Sequence, residues 1–190
     1  MVVCLDEMGP LGAKSYAGRE LVRPQPPPPA GRARQEIDHG RRGKGHVSGA
    51  FCPATGAALT RPYPGRGATR RVAFLEAVED WLPAEVDRVY AIADNLSTHR
   101  ATDVLLLMLA HPRREMVFQP KYAAYLDLIE PWWKVLRALA SAGRRFETWD
   151  EVAEAVAQAT AYWNAHRHPF TWGQRRRSSP APAARHRALA

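Results

Sequence analysis

Val89-Tyr90-Ala91-Ile92-Ala93-Asp94 is a run of five apolar residues closed by a carboxylate. It has the length of a strand and no polar alternation, so it reads as a strand covered on both faces. Downstream, Ser97 or Thr98 offers an N-cap for a helix that runs through Asp103 and Leu107 and stops before Pro112. Met116 to Phe118 is a further short strand closed by Gln119-Pro120. Strand, helix, strand is the unit of a parallel sheet with helices on its faces.

The same grammar holds upstream. Met1 to Leu5 is a short apolar run ending in Asp6 and Glu7, then Gly9-Pro10, which predicts a strand followed by a turn. His46 to Phe51 and Ala57 to Tyr63 flank the turn Pro53-Ala-Thr-Gly56 and predict a hairpin. Arg71 to Trp81 carries Phe74, Leu75 and Val78 at helical spacing. Leu128 to Leu139 places Ile129, Trp133 and Leu136 on one stripe. A last helix begins at Thr148 with the capping-box pattern Thr148-x-x-Glu151 and aligns Val152, Val156, Ala159 and Trp163. The whole predicts an α/β fold, a mixed five-stranded sheet flanked by helices.

Composition bounds the function. The chain has 190 residues, 46% hydrophobic and 24% charged, which suits one globular domain and excludes collagen-like, mucin-like and wholly disordered classes. No apolar run approaches the roughly 18 residues of a membrane span, and the first residues lack the basic and apolar regions of a signal peptide. The two cysteines, Cys4 and Cys52, form no CxxC pair. A cytoplasmic protein is expected. The 27 Lys and Arg against 19 Asp and Glu give a net charge of +8, which points to a polyanionic partner. The surplus is concentrated at the ends: residues 1–50 carry 8 basic against 5 acidic side chains, and residues 151–190 carry 6 against 2. The Pro-rich stretch 23–34 reads as a stiff surface insertion, and 174–190 as a basic disordered tail.

Two buried-type strands thus end on carboxylates, Asp6 and Asp94. Chemistry in α/β sheets collects at strand ends, although Asp there is also a common turn residue. Glu130 opens a helix just after a loop that returns to the sheet, and is a third candidate. Two Asp and one Glu converging would suit Mg²⁺, and two such ions about 4 Å apart serve phosphodiester cleavage.

These residues also carry a resemblance. Asp94-Asn95-x-x-Thr98-His99, followed by Pro120-x-Tyr122-x-x-x-Leu126-x-x-x-Glu130-x-x-Trp133, resembles the DDE transposases of bacterial insertion sequences in the mariner superfamily, with 35 residues between Asp94 and Glu130. The opening Val-Cys-Leu-Asp6-Glu7-x-Gly9-Pro10 is similar to the first catalytic strand of that family. Trp163-Asn164 with Pro169-Phe170-x-Trp172 is similar to its C-terminal signature. The resemblance implies an RNase H-like (retroviral-integrase-like) catalytic domain over residues 1–173. It implies Asp6, Asp94 and Glu130 as catalytic, metal-binding triad, with Mg²⁺ or Mn²⁺, two ions, as cofactor. Asn95, His99 and Asp127 are candidate supporting residues around the triad; Asp127 stands where the family has Asn. Arg70, Arg71, Lys121, Lys134 and Arg137 are candidate DNA contacts. The implied partners are double-stranded DNA, as transposon ends and target, and a second copy of the chain in a homodimer on DNA. The implied location is the nucleoid-bearing cytoplasm, with no membrane. The N-terminal helix-turn-helix usual in the family is expected to be absent. Two functions follow as alternatives: a metal-dependent nuclease and strand transferase, or a noncatalytic transposase remnant that binds DNA or dimerises as a regulator.

Overall fold

The computed structural model describes residues 1–18, 38, 42–94, 102–119 and 128–170. Five strands form one mixed sheet: β1 (Val2–Gly12), β2 (Lys44–Cys52), β3 (Ala57–Tyr63), β4 (Val89–Ala93) and β5 (Arg114–Phe118), in the order β3-β2-β1-β4-β5. β1, β2 and β3 pair antiparallel, while β4 lies parallel to β1 and β5 parallel to β4. The helices are α1 (Ala68–Trp81), α2 (Thr102–Ala110), α3 (Ile129–Ser141) and α4 (Trp149–Ala165).

The pleat sorts side chains onto two faces, because successive Cβ atoms alternate. Val3 and Leu5 of β1 join Ala50, Val89, Ala91 and Ala93 beneath Phe74, Leu75 and Val78 of α1 and Val104 of α2. Cys4 and Met8 join Val47, Phe51 and Ala58 beneath Ile129, Trp132 and Trp133 of α3 and Val156 and Trp163 of α4. Phe51 stacks on Trp132 with ring centroids 5.7 Å apart. Each such fully buried large side chain contributes roughly 1.5–3 kcal/mol from removal of apolar surface.

Two expectations are corrected here. β1 does not stop before Glu7 but continues to Gly12, with the register shifting between Met8 and Leu11. Gly9-Pro10 occupies that irregularity, where a missing N–H costs no ladder bond, so the turn signal marks a bulge. β4 is covered unevenly: Val89, Ala91 and Ala93 are buried beneath α1 and α2, whereas on the other face Ile92 is half-buried against the α3 cluster and Tyr90 is exposed. On the Tyr90 side α3 packs over β1 and β2, and α4 over β3.

The end of α4 explains the Trp163-Asn164 pair. Trp163 Nε1 donates to the Gly56 carbonyl at 2.7 Å. The Asn164 amide pairs both ways with the Ala58 backbone, accepting at 3.0 Å and donating at 2.8 Å. Phe170 N donates to the Pro53 carbonyl at 2.9 Å, and its ring meets Phe51 edge-on. These residues pin the β2–β3 hairpin and are structural. Thr148 caps α4 as expected, accepting from Glu151 N at 3.2 Å. The Glu151 carboxylate reaches back one residue further than a capping box requires, to Glu147 N at 2.7 Å.

Candidate active site

The β1–β4 register sets Leu5 beside Ala93, so Asp6 and Asp94, each one residue on, lie next to each other at about the 4.8 Å strand spacing. Leu5 faces α1 and α2, so alternation turns Asp6 within β1 to the opposite face, the one covered by α3; Asp94 directly follows the end of β4. Both residues are partly buried. Glu130 lies in the first turn of α3 and is exposed. Among the described residues, no group of three or more His, Cys, Asp or Glu side chains stands close enough to hold a metal ion. The donor chemistry of the Asp6–Asp94 pair, carboxylate oxygens on neighbouring strands, suits a hard divalent cation.

Trp133 ties α3 to this pair. It sits one turn after Glu130 and its Nε1 donates to Asp6 Oδ2 at 2.8 Å. The bond fixes the Asp6 rotamer. The room for the indole comes from Gly49, the β2 partner of Asp6, where any Cβ would collide with the Trp133 ring. Sequence reading assigned Trp133 to packing alone and missed both roles. The available signal was the Glu130-x-x-Trp133 spacing, which places the two on adjacent turns, together with the need of a buried indole N–H for an acceptor.

The candidate DNA contacts divide. Arg70 is exposed and its Nη1 donates to the Arg66 carbonyl. Arg71 is corrected: only 1% of it is exposed, so it is no surface contact. Its place is the α1 face of the sheet, where Nη1 lies 3.8 Å from Glu7 Oε1. Burial works against the Arg71 charge, and Glu7, then Asp94 and Asp6, work to hold it. Lys134 is exposed on α3, and Arg137, also exposed, points its Nε at Met8 Sδ, 3.1 Å away. Asn95, His99, Lys121 and Asp127 lie outside the described residues, as do the Pro-rich stretch and the basic tail.

Residues 1–153 match the family model of the DDE superfamily endonucleases. The chain belongs to this family. Among solved structures, the chain is similar to the Mos1 transposase paired-end complex with left transposon end, at 18% identity and TM-score 0.64, over 89% of this chain and 49% of that one. It is similar in the same degree to the Mos1 mariner paired end complex with Mn, at 19% identity and TM-score 0.64, again over 89% and 49%. The Mos1 strand transfer complex matches at 15% identity and TM-score 0.57, over 87% and 54%. The likeness shows a shared fold, the RNase H-like mixed sheet flanked by helices. The chain spans about half the length of these structures. No curated protein sequence matches it. No helix among the described residues of this DDE endonuclease is long and apolar enough to cross a membrane.

Proposed function

We propose that the protein cleaves DNA phosphodiester bonds and joins strands during transposition of an insertion sequence, using Asp6, Asp94 and Glu130. The observation that supports this reading is the β1–β4 register, which pairs Leu5 with Ala93, the residues immediately before Asp6 and Asp94. Three carboxylates would hold Mg²⁺ or Mn²⁺, two ions in the complete site; bound there, the metal supplies charge neutralisation at the phosphodiester and an acidic water. Around that site the chain's own groups have defined work. Trp133 holds one Asp6 oxygen and leaves the other to a cation. Exposed Glu130 on the first turn of α3 closes on the pair from the helix side, while exposed Lys134 and Arg137 on the same helix engage DNA phosphates.

The reaction is hydrolysis at the transposon end followed by attack of the freed 3′-hydroxyl on target DNA. Duplex DNA, held by a homodimer in the cytoplasm, is the substrate in this reading, and the +8 surplus supports it. The test is nicking of supercoiled DNA by the purified chain with Mn²⁺ or Mg²⁺, beside Asp94→Asn and Glu130→Gln. Metal-dependent nicking lost in both variants is expected. Nicking that survives in Asp94→Asn overturns the site, and DNA binding with no nicking by the parent chain assigns the noncatalytic, regulatory role instead.

A further inference from the structure

Arg71 lies on the buried face of α1 and only 1% of it is exposed. Its guanidinium stands 3.8 Å from Glu7 Oε1 and 5.8 Å from the centre of the Phe74 ring. Among the described residues, no acceptor hydrogen-bonds its Nε, Nη1 or Nη2. The other buried arginine, Arg114, is held differently, since its Nη1 donates to the Leu75 carbonyl at 2.8 Å. A guanidinium that braces the backbone does so through directional bonds of that kind. Arg71 makes none to the described residues, so charge is what holds it.

The charges around it come from the strand ends. Glu7 follows Asp6 in β1, and the pairing of Leu5 with Ala93 brings Asp94 to the end of the neighbouring strand. The Glu7 side chain is largely buried and Asp94 Oδ1 is shielded from solvent, so water and salt screen these groups little. Arg66 also pairs with Glu7, at 3.3 Å, but it is exposed and solvent weakens its reach. Burial works against the Arg71 charge; Glu7, then Asp94 and Asp6, sustain it, and Arg114 opposes it. Coulomb attraction is mutual, so Arg71 acts on the same carboxylates that act on it.

We infer that Arg71 is a positioning residue for the carboxylate site: its buried positive charge holds Asp6, Glu7 and Asp94 together in the metal-free chain, and the same charge weakens the hold of those carboxylates on a divalent cation. The second half rests on the reading that Asp6 and Asp94 bind metal; the first half does not. Such a counter-charge lets the strand ends form before metal arrives and keeps the bound ion exchangeable.

The test has two arms, both on the full chain. In EDTA, thermal unfolding is followed for Arg71→Met, Asp94→Asn and the double variant; Met occupies a similar volume without the charge. Arg71→Met is expected to lower the melting temperature by roughly 5–10 °C in the parent and by less than half as much beside Asp94→Asn. Equal losses in the two backgrounds overturn the inference, because lost packing alone would act equally in both. If Arg71→Met does not fold, recovery of folding in the double variant supports the coupling, and failure of both overturns it. In the second arm, Mn²⁺ binding is measured by calorimetry. Arg71→Met is expected to bind about tenfold more tightly, and Arg71→Lys, which keeps the charge, to stay within about twofold of the parent. Unchanged or weaker binding in Arg71→Met overturns the opposing role. A parent chain that binds no Mn²⁺ overturns the metal reading of Asp6 and Asp94, and the EDTA arm then decides separately whether Arg71 serves the carboxylates.

Discussion

At the scale of single residues, one hydrogen bond ties α3 to the candidate site. Trp133 Nε1 on Asp6 Oδ2 is a neutral donor on a charged acceptor, a type worth about 1.5–3 kcal/mol. Trp133→Phe keeps most of the ring volume and removes the donor. It is expected to weaken Mn²⁺ binding roughly tenfold, read by calorimetry, while leaving the circular dichroism spectrum unchanged. Gly49 serves the same contact from the other side, since a Cβ there meets the indole. Gly49→Ala is expected to destabilise the fold by about 1–3 kcal/mol in urea and to lower metal affinity as well, because the ring that must give way is the one that holds Asp6. Asp6 and Asp94 could be picked from the chain because apolar runs ending in carboxylates are visible in one dimension. Gly49 could not, since its importance comes from a residue 84 positions away in sequence.

At the scale of elements, local signals did well where local physics decides. Thr148 caps α4 through its own hydroxyl, a bond made within four residues. Thr148→Ala is expected to cost about 1 kcal/mol, a fall in melting temperature of roughly 2–4 °C for a chain of this size. The strand of Val89–Ala93 was equally legible. Local signals failed at Gly9-Pro10, where a turn pair sits inside β1. Pairing with Gly45 and Lys44 beyond the irregularity continues the strand, and no local pattern carries that information. Arg71 is a comparable case. Its position at the start of α1 suggested a solvent-facing cation, yet the helix packs on the sheet with that face inward.

At the scale of the molecule, two features join distant parts. Glu79 of α1 faces Arg113 and Arg114 at the start of β5, and Arg114 Nη1 donates to the Leu75 carbonyl at 2.8 Å. Arg114 is buried, which works against its charge, and Glu79 is the group that sustains it. Glu79→Ala is therefore expected to destabilise by about 3 kcal/mol in thermal unfolding, more than a surface ion pair would. In the proposed site, a cation bound by Asp6 and Asp94 would join the two strands that lead into them, β1 and β4. Mn²⁺ at a hundred times its dissociation constant is expected to add about 2.7 kcal/mol, raising the melting temperature by roughly 5–10 °C in the parent chain and not in Asp94→Asn. The sequence by itself determined the order of strands and helices, the apolar stripes, the cap of α4 and the acidic residues worth testing, because periodicity and capping act over a few residues. Only the tertiary structure decided that the strands leading into Asp6 and Asp94 lie side by side, that Trp133 reaches Asp6 through the space left by Gly49, and that Arg71 lies buried under α1. Those facts follow from strand register and from the alternation of faces, which set how distant segments meet and leave no local mark in the chain.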